Sequence, residues 1–297
     1  MSINKVVVAG SGVLGSQIAF QSAYKGFKVT VYDINEEMIS KAKKTMAGYG
    51  PVYKKDIKST DAKINSAMDN LSYSYDLSQA AKDADLVIEA VPEKLEIKGD
   101  FYQKLSEAAP KETIFASNSS TLVPSAIVSF TDRPARFLNL HFANHIWRNN
   151  TAEIMGTDQT DPAVYSEIVK FAKAIGMVPI EIKKEQPGYV LNSLLIPLLN
   201  ASAALWAKGV ADPQTIDKTW MIGTGAPMGP FGIFDVVGLR TAYNITETTA
   251  QQSGDETLKQ VAYKLKEVID DGYLGRENGK GFYTYPDPDF VKEDFLK

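Results

Sequence analysis

The chain has 297 residues, 44% of them hydrophobic and 23% charged, with a formal net charge of −4 and no cysteine. This length predicts about two domains that each bury a hydrophobic core. The lack of cysteine excludes disulfides and thiolate chemistry, and the acidic balance argues against nucleic acid or an anionic membrane as a partner.

We expect a cytoplasmic protein without a leader segment. No apolar run reaches the roughly 20 residues of a membrane span, and the first predicted strand begins close to Met1. A small-molecule substrate is therefore the expected partner.

The first predicted elements form a βαβ unit that begins with an apolar strand at 6–9. A GxGxxG turn follows, in which Gly10 permits the tight turn and Gly12 lets backbone amides approach a pyrophosphate. Gly15 then lets the helix pack close to the strand, and the helix N-terminus supplies N–H groups for phosphates. The predicted cofactor contacts in this turn are Gly10, Gly12, Val13, Leu14 and Gly15.

Asp33 follows the second predicted strand, Lys28–Tyr32. A carboxylate at this position accepts hydrogen bonds from ribose hydroxyls and repels a 2′-phosphate. The sequence therefore predicts NAD, not NADP, as the cofactor. Alternatively, Asp33 caps the helix that begins at Glu36.

Beyond Asp33, helical and strand-like segments alternate, which predicts a Rossmann-type, doubly wound, mostly parallel sheet. The predicted helices are a charged stretch from Glu36 to about Asp69 and the segments 94–109 and 163–175. The further predicted strands are 85–89, 113–117, 136–141 and 178–182.

Gln186-Pro187-Gly188 marks the predicted boundary between a nucleotide-binding domain over 1–186 and an all-α domain over 187–297. The second domain is predicted to contain helices at 189–208, 212–223, 230–253 and 257–271, and one short strand at 281–285. Because its helices are apolar on more than one face, we expect a homodimer through this domain.

Candidates for proton transfer are few, because His141 and His145 are the two histidines of the chain. His141 ends a predicted parallel strand, at the sheet edge where doubly wound folds place ligands. Imidazole titrates close enough to neutral pH to accept a proton from an alcohol, so His141 is a candidate general base. We expect no metal site, because the two histidines follow a strand and no third ligand has a familiar spacing.

Several motifs together resemble the 3-hydroxyacyl-CoA dehydrogenase family, including the bacterial 3-hydroxybutyryl-CoA dehydrogenases, over nearly the whole chain. They are VIEAVPE at 87–93, FASNSS at 115–120, HF at 141–142 with Glu153 downstream, PGYVLN at 187–192, APMGPF at 226–231 and GRENGKGFY at 275–283.

The resemblance implies an NAD-dependent enzyme of fatty acid metabolism that oxidises a 3-hydroxyacyl substrate, first a short-chain CoA thioester of the L (S) form. His141 would take the hydroxyl proton while Glu153 orients and stabilises its ring. Ser120 and Asn192 would hold the substrate oxygen, which places the site in an interdomain cleft. The residues implied around the cofactor's ribose and nicotinamide are Glu93, Lys98, Asn144 and again Ser120.

The segment between His141 and Glu153 departs from the family's largely apolar pattern, because it carries Arg148, Asn149 and Asn150. A polar wall of this kind suits a charged or hydroxylated acyl group, or a free hydroxy acid. Alternatively, Arg148 lies on a solvated loop. Two other functions stay open: a dehydrogenase of a free polar 3-hydroxy acid, and a non-catalytic NAD-binding protein, against which the complete set of proposed catalytic residues argues.

Overall fold

The computed structural model describes residues 3–297, which form two compact units. The first unit ends at Val190 and the second begins at Leu191, a few residues after the predicted domain boundary. No helix within residues 3–297 is both long and apolar enough to cross a membrane.

The first unit is built on one eight-stranded sheet. Its strands are β1 (Lys5–Ala9), β2 (Lys28–Tyr32), β3 (Leu71–Ser74), β4 (Leu86–Glu89), β5 (Ile114–Ser117), β6 (Phe137–Phe142), β7 (Thr151–Gly156) and β8 (Val178–Ile182). The order across the sheet is β3-β2-β1-β4-β5-β6-β7-β8, and every neighbouring pair is parallel except β6 and β7. The predicted doubly wound, mostly parallel fold is confirmed.

Helices and short turns cover both faces of this sheet. The helices are α1 (Val13–Tyr24), α2 (Glu36–Ile57), α3 (Asp61–Asp69), α4 (Leu77–Ala81), α5 (Leu95–Ala108), α6 (Pro124–Ile127) and α7 (Pro162–Ala174). Short 3-10 turns lie at Val128–Phe130 and Pro134–Arg136. Because both faces are covered, β4, β5 and β6 are buried along their whole lengths.

Two strands were not predicted from the sequence. β3 directly follows the stretch that was predicted to be helical. That stretch consists of two helices, α2 and α3, because the chain turns at Lys58, whose backbone is left-handed (φ 56°). β7 lies in a segment for which no element was predicted. Its pairing with β6 brings the chain back through a hairpin, a contact that local periodicity does not reveal.

The second unit is helical, with α8 (Leu191–Ala207), α9 (Pro213–Thr224), α10 (Pro230–Val237), α11 (Leu239–Ser253), α12 (Glu256–Asp270) and a 3-10 turn at Asp289–Val291. The predicted single helix over 230–253 is wrong, because Gly238 (φ 91°) separates α10 from α11. The predicted strand at 281–285 is also wrong, because residues 275–284 form only isolated bridges.

A buried carboxylate organises this helical unit. Asp217 on α9 accepts the backbone N–H groups of Phe231 (2.8 Å) and Gly232 (2.9 Å), so it caps α10 from a neighbouring helix. The Tyr283 hydroxyl donates to the same carboxylate at 2.9 Å. Burial raises the pKa of Asp217. The APMGPF and GRENGKGFY motifs therefore meet at one carboxylate.

Candidate active site

His141 and Glu153 are direct cross-strand partners on β6 and β7. Directly opposed residues of an antiparallel pair project to the same face, and here His141 Nδ1 lies 3.1 Å from Glu153 Oε2. Both side chains are buried, 6% and 3% exposed as residues. The predicted pair is thus brought together by strand register.

The segment that ends the first unit completes the surroundings of this pair. The Val190 backbone N–H donates to Glu153 Oε1 at 2.9 Å, so both carboxylate oxygens have partners. The Tyr189 ring stacks on the His141 imidazole, with ring centroids 4.5 Å apart. The Tyr189 hydroxyl donates to the Ser119 carbonyl at 2.6 Å and accepts from Asn139 Nδ2 at 2.9 Å.

Tyr189 was missed in the sequence analysis. It adopts a left-handed backbone (φ 56°) directly after Gly188, a strained conformation for a bulky residue. Burial raises the pKa of its hydroxyl above the ordinary value. The one feature of the sequence that could have indicated a role for Tyr189 is an aromatic residue directly after a Pro-Gly turn.

Glu93 holds the loop that carries Ser120. Its Oε1 accepts the backbone N–H groups of Ser120 and Thr121, both at 3.0 Å, and the hydroxyls of Ser119 and Thr121. Burial alone would raise the pKa of Glu93, but the Ser119 hydrogen bond and the Lys98 charge outweigh it and lower the pKa to about 2. Glu93 is therefore ionised at neutral pH.

Lys98 lies beneath this loop and is only 1% exposed. Its ammonium group lies 2.6 Å from Glu89 Oε1, 3.0 Å from Glu93 Oε2 and 3.4 Å from the Val91 carbonyl. All three N–H donors are therefore used inside the chain. This placement also holds Lys98 against Glu93. The predicted contact between Lys98 and the cofactor stays a prediction.

The glycine turn has the shape that a dinucleotide requires. Gly10 has a left-handed backbone (φ 97°), and a Cβ there would overlap the Ala90 carbonyl. A Cβ on Gly15 would overlap the Gly10 carbonyl, whereas one on Gly12 would meet nothing within 4 Å. No described side chain caps α1 at Gly12, and the first turn carries no acidic residue. Open space in front of uncapped N–H groups fits a pyrophosphate.

Asp33 links the end of β2 to this turn, because its carboxylate accepts the backbone N–H groups of Ser11 and Ile34, both at 2.8 Å. The alternative that Asp33 caps the next helix is wrong. Asn35 does so, accepting the Met38 N–H at 2.9 Å.

The polar residues between His141 and Glu153 are bonded within the chain. Arg148 is paired with Asp56 at 3.3 Å and its side chain is 57% exposed. Nδ2 of Asn149 donates to the Asn144 carbonyl at 2.8 Å, and Nδ2 of Asn150 donates to the Gly176 carbonyl at 3.1 Å. These contacts favour the solvated-loop alternative for Arg148. Each of the three side chains has a partner within the chain, and their effect on substrate choice stays a prediction.

Two further predicted site residues, Asn144 and Asn192, lie on different elements of the chain. Asn144 follows β6 and bonds to α1 through Gln17. Asn192 lies in the first turn of α8 in the second unit, and its role stays a prediction. Across residues 3–297, no three metal-ligating side chains converge.

Two family models match the chain. The one described as "3-hydroxyacyl-CoA dehydrogenase, NAD binding domain" covers residues 5–186, and the one described as "3-hydroxyacyl-CoA dehydrogenase, C-terminal domain" covers 188–285. The chain belongs to the 3-hydroxyacyl-CoA dehydrogenase family. It is an NAD-dependent oxidoreductase that acts on a CH–OH group.

Individual relatives cover almost the entire chain of this family member. The mitochondrial hydroxyacyl-coenzyme A dehydrogenase of Homo sapiens is 32% identical, over 95% of this chain and 91% of its own. A probable 3-hydroxybutyryl-CoA dehydrogenase of Bacillus subtilis is 32% identical, over 96% and 98%. A solved diketoreductase, described by its "dual catalysis of dicarbonyl compounds", is 58% identical with a TM-score of 0.92, over 96% of this chain and 100% of its own.

Proposed function

We propose that this dehydrogenase interconverts a 3-hydroxy compound and its 3-oxo form, with His141 as the general base and Glu153 as its partner. The observation that carries the proposal is the buried cross-strand pair, with 3.1 Å between imidazole and carboxylate. A protein that only bound NAD would have no need of a base held in this way.

Glu153 faces His141 Nδ1, which leaves Nε2 as the nitrogen that takes the hydroxyl proton. The Glu153 carboxylate then stabilises the imidazolium that forms, while the Val190 N–H holds its other oxygen. NAD, when bound, supplies the hydride acceptor. Ser120 and Asn192 are proposed to hold the substrate oxygen.

NAD would be held by the glycine turn, with Asp33 toward the ribose hydroxyls and Glu93 and Asn144 nearer the nicotinamide end. Asp33 supports this because its carboxylate is already fixed beside the turn by Ser11. Glu93 supports it because its carboxylate is ionised and accepts the backbone N–H of Ser120, another residue implied at the cofactor.

A short-chain 3-hydroxyacyl-CoA is the first candidate substrate, supported by the relative named a probable 3-hydroxybutyryl-CoA dehydrogenase. A non-CoA compound with two carbonyl groups is the second, supported by the 58% identity to the diketoreductase. The two candidates share chemistry, because a 3-oxoacyl thioester is itself a dicarbonyl compound. A free polar 3-hydroxy acid belongs with the second candidate.

A homodimer in the cytoplasm remains part of the proposal. The support for a dimer is that α8 exposes Leu194, which is 70% exposed, together with Leu191 and Ile196. Light scattering at micromolar concentration tests it, and a monomeric mass would contradict it.

The catalytic proposal is tested with His141→Gln, Glu153→Gln and the matched control His145→Gln. We expect kcat to fall on the order of 10² to 10⁴ for His141→Gln with NAD affinity unchanged, because a general base acts in the transition state. Glu153→Gln should lose less and the control almost nothing. Full activity of His141→Gln at every pH would refute the mechanism.

The substrate is tested by comparing kcat/KM for 3-hydroxybutyryl-CoA, for a free 3-hydroxy acid and for the reduction of a simple 1,3-diketone. Arg148→Met is included, and we expect it to have little effect because Arg148 is paired with Asp56. A strong preference for the thioester would establish the first candidate and reject the second.

A further inference from the structure

A buried glutamine on α1 connects the cofactor-binding helix to the loop that follows the catalytic strand. Gln17 lies in the second turn of α1 and is 4% exposed. Its Oε1 accepts the backbone N–H groups of His145 (2.7 Å) and Ile146 (3.3 Å). Its Nε2 donates to Asn144 Oδ1 at 2.6 Å.

These contacts leave one orientation for both amides. Backbone N–H groups can only donate, so the end of Gln17 that faces His145 and Ile146 must be its oxygen. The other end of Gln17 is then a donor and must face an acceptor, which is Asn144 Oδ1. The His145 N–H donates to the same Oδ1 at 3.0 Å.

The orientation of the Asn144 amide determines where its Nδ2 group points. Since Oδ1 is turned toward Gln17, the Nδ2 group is turned away, and within residues 3–297 it has no acceptor. Asn144 itself is exposed. It therefore presents donors, not an acceptor, on the surface next to the catalytic strand.

We infer that Gln17 is a positioning residue that sets the Asn144 amide so that Nδ2 donates to an oxygen of NAD. The inference rests on the proposed contact between Asn144 and the cofactor. It gives α1 two functions: its N-terminus faces the pyrophosphate, and its second turn orients a donor for the opposite end of the same molecule.

Gln17→Glu isolates this orientation. A glutamate still accepts from His145 and Ile146, so the loop keeps its backbone anchors. It cannot donate to Asn144, whose amide then turns its Nδ2 inward and presents Oδ1 to the cofactor. Gln21→Glu is the matched control, because Gln21 is a buried glutamine on the same helix that donates to the Ile175 carbonyl at 2.7 Å.

The measurement is the Kd for NAD by titration calorimetry, with kcat measured alongside. We expect Gln17→Glu to weaken NAD binding roughly tenfold, the effect of losing one good hydrogen bond and meeting an acceptor instead. Gln21→Glu should bind NAD as the wild type does, even with a similar drop in Tm. Gln17→Met, which adds no charge, should weaken NAD binding as well.

A double-mutant cycle with Asn144→Ala separates positioning from a general structural role. If Gln17 acts through Asn144, Gln17→Glu should add about twofold or less to the Kd in the Asn144→Ala background. Two results would overturn the inference, provided that Asn144→Ala itself weakens NAD binding. One is that Gln17→Glu raises the Kd in the Asn144→Ala background as much as it does in the wild type; the other is that both Gln17 variants bind NAD like the wild type. If Asn144→Ala itself binds normally, the proposed Asn144 contact fails as well.

Discussion

The Tyr189 ring lies nearly parallel to the His141 imidazole, with an angle of 16° between their planes. The Tyr189 hydroxyl forms hydrogen bonds with both Ser119 and Asn139, which fix the position of the ring against the imidazole. Stacking on one face and the Glu153 hydrogen bond at one edge restrict rotation of His141 about its side-chain bonds.

Substitution of Tyr189 should therefore affect turnover more than cofactor binding. Tyr189→Phe keeps the stacked ring and loses two hydrogen bonds, so we expect a kcat loss of about tenfold or less. Tyr189→Leu removes the stack as well, and we expect a loss on the order of 10². Steady-state kinetics with NAD titrations test this, and wild-type kcat in the Leu variant would contradict it.

Alanine substitution at two glycines of the same turn should affect different properties, folding stability at Gly15 and NAD binding at Gly12. A Cβ at Gly15 overlaps the Gly10 carbonyl, so Gly15→Ala should lower the Tm and the yield of folded protein. A Cβ at Gly12 meets nothing and the backbone there is ordinary (φ −62°), so Gly12→Ala should fold normally but raise the KM for NAD. An unchanged KM in folded Gly12→Ala would mean that the open space is not the pyrophosphate site.

Acid should destabilise the fold through Glu93. Hydrogen bonds and Lys98 lower its pKa from 4.5 to about 2 despite burial, so its contribution is present above pH 4.5 and is lost as the pH falls toward 2. Denaturant unfolding at several pH values should show that the unfolding free energy of Glu93→Gln falls less steeply in acid than that of the wild type.

Asp217→Asn should make the fall of the unfolding free energy in acid steeper. The raised pKa of Asp217 in the folded state contributes stability at low pH that is lost as the pH rises, so this group opposes the effect of Glu93. Identical slopes in all three proteins would contradict the assignment.

Removing the buried cation should be far more damaging than removing an exposed one on the same helix. Lys98→Met leaves Glu89 and Glu93 without their countercharge, and breaking such a buried pair costs about 3–5 kcal/mol of unfolding free energy. Lys104→Met, which removes an exposed pair with Asp100 on α5, should change the unfolding free energy little. Equal Tm values for the two variants would show that Lys98 is not the buried countercharge.

The elements that could be predicted are those whose signals are local. The glycine turn, most of the strands and α5 follow from short runs of residue types with one clear period. β7 could not be predicted in this way because its place depends on pairing with β6. The pairing of Glu153 with His141 was implied by the family resemblance, since the residue pattern alone describes a surface carboxylate.

The contacts that could not be predicted depend on distant partners. The resemblance implied a cofactor contact for Lys98 but not its burial, since lysines are seldom fully buried. Its place inside the fold requires Glu89 and Glu93 from the preceding strand and loop. Gln17 reads as one more polar residue of α1, and only the fold brings Asn144 beside it.

The hairpin between β6 and β7 has a consequence for which parts of the site tolerate substitution. Because strand register places His141 opposite Glu153, the composition of the hairpin tip at 148–150 can change without moving the base. A one-residue slip within β7 would instead turn Glu153 to the other face of the sheet. The residues of the hairpin tip can therefore vary while the proton-transfer pair stays intact.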